Sequence, residues 1–350
     1  MRYTDEHGNW RETQGLRGLA KGHVGRVART LALAGLSGDA PADVFRREYT
    51  TIARLLDVNQ REFGITSGDL NLSAGQSVLT QPFLDVYLGE SLAGQIGRVS
   101  PWRDVPAFTP VMGWDGNFAA SWTPQFKDAP VLFETLRPYS LEGGRKLSGI
   151  VAITGEAVRR GGLTFEREIE AALIRCTAPT ESFALIDTTA DGAGAAPASL
   201  TNGLTPVALP GTPAADIKAL FAEFTGDPRH AVLVTSTTNA ITASGIFPAA
   251  PINIRTGGEI CGVSSVFSDA CEIAGGSNGH VLMLIDPSRV MMLDRGVEVA
   301  SSTSADLTVV DSDGGRVGLF QTDTVALRID RIIEWLAPVA GSVVFGYSVW

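Results

Sequence analysis

The sequence predicts an α+β protein with strands and helices segregated along the chain, and three stretches carry that prediction. A run of alternating apolar and polar residues from Asn117 turns back on itself and gives way after Thr154 to a helical period lasting to Asp187. Thr212 to Gly226 holds the best-signalled helix, with strand candidates behind it. From Arg289 onward the chain reads as a β-meander.

In the first stretch, Asn117 to Pro124 alternates well enough for a strand, and Gln125 to Pro130 is turn-rich and ends it. The return limb, Val131 to Thr154, is broken at Pro138 and Gly143-Gly144, because proline lacks a ladder donor and glycine weakens a strand interior. Charged residues gather toward the tips: Lys127, Asp128, Glu142, Arg145 and Lys146. Such a hairpin is marginal alone and is expected to pack on something else, another subunit included.

For the helix that follows, Thr164 is the expected N-cap, with Glu166 and Glu168 in the first turn where the helix dipole favours anions. Phe165, Ile169, Ala172, Leu173 and Cys176 are expected on the buried face. Phe183 and Ile186 resume the stripe beyond Pro179, which predicts one kinked helix from about Thr164 to Asp187. At ~1.5 Å per residue this is a rod of roughly 35 Å. An ordinary core helix after a hairpin has the same signature.

Asp187 to Gly211, rich in Gly, Ala, Thr and Pro, marks a boundary. Beyond it, Thr212 is the expected N-cap and Pro213 the first helical residue, while Ile217, Leu220, Phe221 and Phe224 share a face and Gly226 ends the helix. His230 to Thr235, Gly262 to Phe267 and Val281 to Ile285 are strand candidates and Thr237 to Ala243 a short helix, together a mixed α/β module. The meander follows as Val290 to Leu293, Val297 to Ser301, Leu307 to Val310 and one long strand from Val317 to Ile329. In that strand Val325, Leu327 and Ile329 alternate with Ala326, Arg328 and Asp330. Val339 to Trp350 is a last strand.

With 350 residues and 44% of them apolar, the chain can bury a sizeable core in one large or two ordinary domains. No apolar run reaches the ~18 residues of a membrane span, and the N-terminus lacks the apolar region of a signal peptide, so no membrane partner and synthesis in a cytoplasm are expected. The formal charge of −10 argues against a tight basic grip on nucleic acid. It is uneven: residues 1–54 hold nine Arg or Lys and six Asp or Glu, a net of +3, which leaves −13 for the remainder. Residues 1–66 read as an appendage with two helical candidates, Gly15 to Leu36 and Ala42 to Leu56, neither apolar enough for a core. Phe63 to Val78 reads as an extended arm, Pro82 to Leu92 as a helix or strand, and Gly97 to Val111 as a Pro-broken strand.

Candidate chemistry is sparse. Cys176, Cys261 and Cys271 lack metal-ligand spacing and are expected to be reduced and structural, with no metal or cofactor implied. Gly275-Gly-Ser-Asn-Gly279 matches the G-x-S-x-G nucleophile pattern, with His230 and His280 as conceivable bases. That motif needs a strand before it and a helix after it, whereas Ser277 stands in a Gly-rich stretch leading into a strand. Asp311 to Gly315 lacks the further acidic ligands of a calcium loop and reads as a hairpin turn. Thr256-Gly-Gly-Glu and Asp191-Gly-Ala-Gly are followed by neither a lysine nor a helix start, as a phosphate loop requires. No catalytic constellation emerges, and the chain is not read as an enzyme.

The order of these elements carries more than any one residue. An N-terminal arm, a long hairpin, a long helix reached through Leu147-Ser-Gly-Ile-Val-Ala-Ile-Thr-Gly-Glu156, a Gly-rich break, an α/β module and a closing β-meander resemble the major capsid protein of tailed bacteriophages, the Hong Kong 97-type capsid fold. Phe320 to Arg328 looks like that family's late strands. The resemblance implies an N-terminal arm or scaffold-like segment over 1–66, an N-arm with entering strands over 67–116, and an extended E-loop hairpin over 117–150. It further implies a P domain with a long spine helix and β-meander over 151–199 and 286–334, and an α/β A domain over 200–285 and 335–350.

By the same resemblance the chain is expected to self-assemble into homo-hexamers and homo-pentamers of an icosahedral shell around double-stranded DNA, held weakly and nonspecifically. A portal and a maturation protease are implied as further partners, with the virion as location and the host cytoplasm as site of assembly. E-loop contacts between subunits are expected at Trp122, Phe126, Lys127, Asp128, Arg137, Glu142, Arg145 and Lys146. The alternatives are an encapsulin-like compartment of the same fold and a serine hydrolase using Ser277. Some members of the family join an E-loop lysine to an asparagine of a neighbour. Lys127 and Lys146 can supply the amine, but no asparagine follows Asn278 and Leu307 to Ile329 offers only Gln321, so a shell without covalent links is expected.

Overall fold

The computed structural model describes residues 2–4, 10–12, 23–39, 41–48, 84–114, 136–141, 143–189, 192, 194–247, 251–303, 306–308 and 316–350. In chain order its elements are β1 (Arg2–Thr4), β2 (Trp10–Glu12), α1 (His23–Ser37), α2 (Pro41–Glu48), α3 (Leu92–Val99), β3 (Arg103–Asp104), β4 (Val111–Trp114), β5 (Leu136–Tyr139) and β6 (Arg145–Thr154). There follow α4 (Gly155–Arg160), α5 (Leu163–Ile186), α6 (Pro213–Glu223), β7 (Val232–Thr235), α7 (Thr237–Ile246), β8 (Gly258–Ile260), β9 (Val263–Phe267), α8 (Ala270–Gly275) and β10 (His280–Ile285). The last are β11 (Met291–Ser302), β12 (Asp306–Thr308), β13 (Arg316–Gly318), β14 (Thr324–Leu336) and β15 (Val343–Ser348). The chain divides into two compact units, neither contiguous: Met1–Tyr87 with Ser148–Thr177 and Gly296–Arg331, and Leu88–Leu147 with Ala178–Arg295 and Ile332–Trp350.

The second unit is built on a five-stranded sheet in the order β15-β10-β7-β9-β8, in which only β7 and β9 run parallel. Its strands are apolar on both faces because both faces are covered, and successive residues alternate between two cores. Val232, Val234, Val281, Met283 and Phe345 pack with Leu92 and Ile96 of α3 and with Leu185 and Ile186 at the end of α5. Leu233, Leu282, Leu284 and Val344 pack with Ile217 and Leu220 of α6 and with Ala240 and Ala243 of α7. The expected helix from Pro213 is present, with Thr212 at its N-cap and Pro213 in its first turn, although the Thr212 hydroxyl makes no capping bond. The last strand begins at Val343, four residues later than Val339, and Trp350 then donates its indole N–H to the buried Asp216 at 2.6 Å.

The first unit contains α1, which packs against α2 and α4, the β12–β13 ladder and the beginning of α5. Gly149 lets β6 lie close on α5, since a Cβ there would meet the Cys176 sulfur at 2.5 Å. Among the described residues Arg331 is the largest fully buried side chain; its guanidinium lies 5.3 Å from the centre of the Tyr87 ring and donates to the Gly296 carbonyl at 3.2 Å. The expected strand from Val317 to Ile329 is two strands, β13 and β14, separated by a turn at 319–323. Nor does β14 alternate as expected: Ala326 and Asp330 are buried beside Val325, Leu327 and Ile329. Asp330 is accommodated because it accepts from the Ser148 hydroxyl at 2.6 Å and from Arg328 at 2.9 Å.

The 24-residue α5 begins at Leu163, so Thr164 lies inside its first turn and is not the cap. It continues through Pro179, which is exposed. Its buried stripe is rotated from the expected one: Glu166, Ile169, Leu173, Thr177, Glu181 and Leu185 are buried, Phe165, Ala172 and Phe183 only half-buried, and Cys176 exposed. Charged residues occupy the inner face, and a search for apolar periodicity reads past them.

Candidate subunit-contact site

The base of the expected E-loop lies in the second unit and is firmly built. β4 and β5 pair antiparallel, Val111 opposite Tyr139 and Trp114 opposite Leu136, so the chain between Trp114 and Leu136 leaves from and returns to one ladder. Pro138 lies within β5 opposite Met112, so it does not end the strand; the break falls at Gly143 and Gly144, as expected. Both glycines have positive φ, +106° and +93°, and a Cβ on Gly143 would strike the Phe108 ring at 2.5 Å. The Gly144 amide donates to Glu334 Oε2 at 2.8 Å and the Tyr139 hydroxyl to the Pro338 carbonyl at 3.4 Å. Below this turn Leu141 is buried with Val105, Met291 and Leu293.

Of the residues expected to make contacts, Arg137 is exposed in β5, Arg145 half-exposed and Lys146 exposed at the start of β6. Trp122, Phe126, Lys127, Asp128 and Glu142, together with the expected strand Asn117 to Pro124, lie outside the described residues. Arg145, Lys146 and Leu147 line a cavity of ≈ 170 Å³ whose other walls include Ala184, Pro197, Ile333 and Trp335. The signal that finds this cavity in sequence is weak, because its walls come from four separate stretches.

In the first unit one arginine ties the N-terminal helices down. Arg29 on α1 is 8% exposed; its Nε donates to the Val158 carbonyl at 3.1 Å, and its terminal nitrogens lie 3.5 Å from Glu166 Oε1 and 3.6 Å from Glu48 Oε2. Helical periodicity sets Arg29 opposite Val24, Val27 and Leu31, whereas the structure buries it against Glu166. Of the second helical candidate, α2 covers Pro41–Glu48, and residues 49–56 lie outside the described ones.

The nucleophile pattern fails in three dimensions as in sequence. Gly275 ends the short helix α8, residues 276–278 form a 3₁₀ turn and β10 follows, the reverse of a strand–turn–helix elbow. His230 is exposed, and His280 Nδ1 lies 3.8 Å from Glu272. Burial pushes the Cys271 thiol far up, helped by Asp269 and Glu272, and burial raises Cys261 as well, which leaves neither poised as a nucleophile. The calcium-loop candidate Asp311 to Gly315 lies outside the described residues. Among the described residues no cluster of His, Cys, Asp and Glu could hold a metal, and no helix is long and apolar enough to cross a membrane.

Comparison with known proteins agrees with this architecture. A chain of Mycobacterium phage Bobi superposes with a TM-score of 0.50 at 16% identity, over 73% of this chain and 90% of its own. The fold is the Hong Kong 97-type capsid fold expected from the order of elements. By sequence, the capsid polyprotein of Pseudomonas phage PAJU2 is 25% identical over 289 residues, covering 75% of this chain. The chain spans 42% of the length of that relative. The capsid of a native GTA particle is similar at 9% identity, over 75% of this chain and 91% of its own, with a TM-score of 0.47. No protein-family profile matches the chain.

Proposed function

We propose that this chain is the major capsid protein of a tailed bacteriophage, a structural subunit that assembles into hexamers and pentamers of an icosahedral shell around double-stranded DNA. The observation that carries the reading is the match to a phage capsid polyprotein across three-quarters of a chain that has the Hong Kong 97-type fold. The hairpin base supports it: the ladder held by Gly144, Glu334 and Leu141 brackets in sequence the segment that contains Trp122, Phe126, Lys127 and Asp128, residue types suited to a neighbouring subunit. Arg137, Arg145 and Lys146 at that base, together with Glu142, are the remaining proposed contacts. An acidic chain suits a container that holds DNA loosely. Residues 1–66 serve as an N-terminal arm or a scaffold-like segment, and the Arg29 contacts to Val158 and Glu166 favour the retained arm for the part around α1. A portal, a maturation protease and assembly in the host cytoplasm complete the proposal.

Electron microscopy of the expressed, purified protein tests it, and closed shells are the expected result. The decisive variant replaces residues 115–135 by a short linker. A deletion extending to Leu147 would also remove the buried Leu141 and the Gly143–Gly144 turn, and would unfold the unit for reasons unrelated to assembly. The 115–135 variant is expected to stay folded and soluble without forming shells. Closed particles of normal size from it would overturn the E-loop role.

A further inference from the structure

The turn between β13 and β14 presents an exposed aromatic side chain on a braced support. Phe320 is 88% exposed, more than any other large apolar residue described, while its neighbour Leu319 is buried. The turn around it is firmly held. The Gly155 amide donates to the Asp323 carbonyl at 2.6 Å, and Arg159 grips the Asp323 carboxylate with two bonds of 2.8 and 3.0 Å. The Thr324 amide donates to the Leu319 carbonyl at 2.9 Å, and the Thr322 hydroxyl donates to the Gly318 carbonyl at 3.1 Å. Asp323 sits at φ +46°, a backbone conformation uncommon outside glycine and tolerated best by Asn and Asp. The phenyl ring is thus presented to solvent on a fixed turn, where a partner can reach it.

The second unit has a receptacle of matching size and character. The cavity of ≈ 170 Å³ is walled by the apolar groups Leu147, Ala184, Pro197, Ile333 and Trp335. A dry apolar cavity of roughly 150 Å³ accepts one benzene ring. Charge matches as well as shape. Leaving out Asp323, which Arg159 neutralises, the sequence 306–322 holds three aspartates and one arginine, a net of −2, whereas the cavity is lined by Arg145 and Lys146 against the single acid Glu181. A knob from one unit and a pocket in the other, meeting between two copies, form a head-to-tail contact, which closes into a ring when the rotation between copies allows it.

We propose that Phe320 of one copy inserts into the cavity of a second copy, so that the β13–β14 turn and the wall formed by β6, α5 and β14 make a subunit–subunit contact. This rests on the reading that copies of the chain assemble. The test replaces Phe320 by 4-azidophenylalanine, which has nearly the same shape, and irradiates particles assembled from a mixture of isotopically light and heavy subunits. The expected adduct joins the turn of one isotope to a peptide of the other that contains Ala184, Ala195 to Pro197, or Trp335. An adduct within one chain, or to any other surface, overturns the insertion while leaving the shell reading intact. Failure of unsubstituted protein to form particles removes the shell reading itself. Independently, Phe320→Ala should raise the subunit concentration needed for assembly by about tenfold or more with unchanged folding by circular dichroism. An unchanged threshold refutes the contact.

Discussion

Replacing Arg29 by methionine keeps much of the side-chain volume and removes the charge that α1 brings to Glu166. Glu166 is 1% exposed, and taking away one partner of a buried ion pair costs about 3–5 kcal/mol, because a charge is left where water cannot reach it. The separations of 3.5 and 3.6 Å are long, and Glu48 is partly solvated, so the low end of that range, ~3 kcal/mol, is expected. Arg159 and Asp323 supply the control: their bonds are shorter, 2.8 and 3.0 Å, yet both side chains are about half exposed. Arg159→Ala should therefore cost far less, because solvent screens the exposed pair. Hydrogen exchange of the unassembled subunit reads the difference locally, in peptides covering residues 23–48. A loss of ~3 kcal/mol lowers protection there by roughly a hundredfold. Glu166→Gln in the Arg29→Met background should recover most of it, since the charge that lost its partner is then gone. Equal effects of the Arg29 and Arg159 substitutions, or strictly additive effects of Arg29→Met and Glu166→Gln, would refute the clasp.

Three further outcomes are expected. In α5, Leu173→Ala should cost about 2–5 kcal/mol, Phe183→Ala distinctly less because it is half-buried, and Arg167→Ala little; equal losses in urea unfolding would contradict the rotated face. Native protein treated with a thiol reagent at pH 8 should react at the exposed Cys176, and more slowly at the exposed Cys261, whose thiol pKa is also raised, while Cys271 stays silent until unfolding. Cys271 is fully buried with its thiol pKa pushed far up, so it holds almost no thiolate at that pH, and rapid native labelling there would count against its placement. Purified particles boiled in detergent with reductant should run as a single band at 36.9 kDa, whereas a ladder would reveal covalent links between subunits.

Much of the fold was legible where one physical signal acted alone. Thr212 and Pro213 announced α6, and the apolar runs at Val232 and Val281 announced central strands that are covered on both faces. Legibility failed where a polar group is buried or a turn interrupts a continuing pattern. Glu166, Glu170 and Glu181 on the inner face of α5 displaced the expected stripe, and Arg331, fully buried, leaves no trace in a hydropathy pattern. Val317 and Leu319 stand in phase with Val325, Leu327 and Ile329, so two strands read as one and the turn that carries Phe320 was hidden. For the contact site, the glycine pair and the charged base of the hairpin were readable. The cavity beside Arg145 was not, because sequence spacing holds no record of which distant stretches meet.

The interleaving of the two units has a consequence for synthesis. The first unit needs Gly296–Arg331 and the second needs Ile332–Trp350, so neither can be completed from the leading part of the chain. β15 closes the edge of the β10 ladder, and Trp350 donates a hydrogen bond to Asp216, so residues as far as 350 belong to the second unit's fold. Domains made of contiguous chain can fold one after another during translation; here residues 296–331 complete the first unit just before residues 332–350 complete the second. A nascent chain that has not reached residue 296 therefore holds neither unit whole, and its competence to associate waits on both.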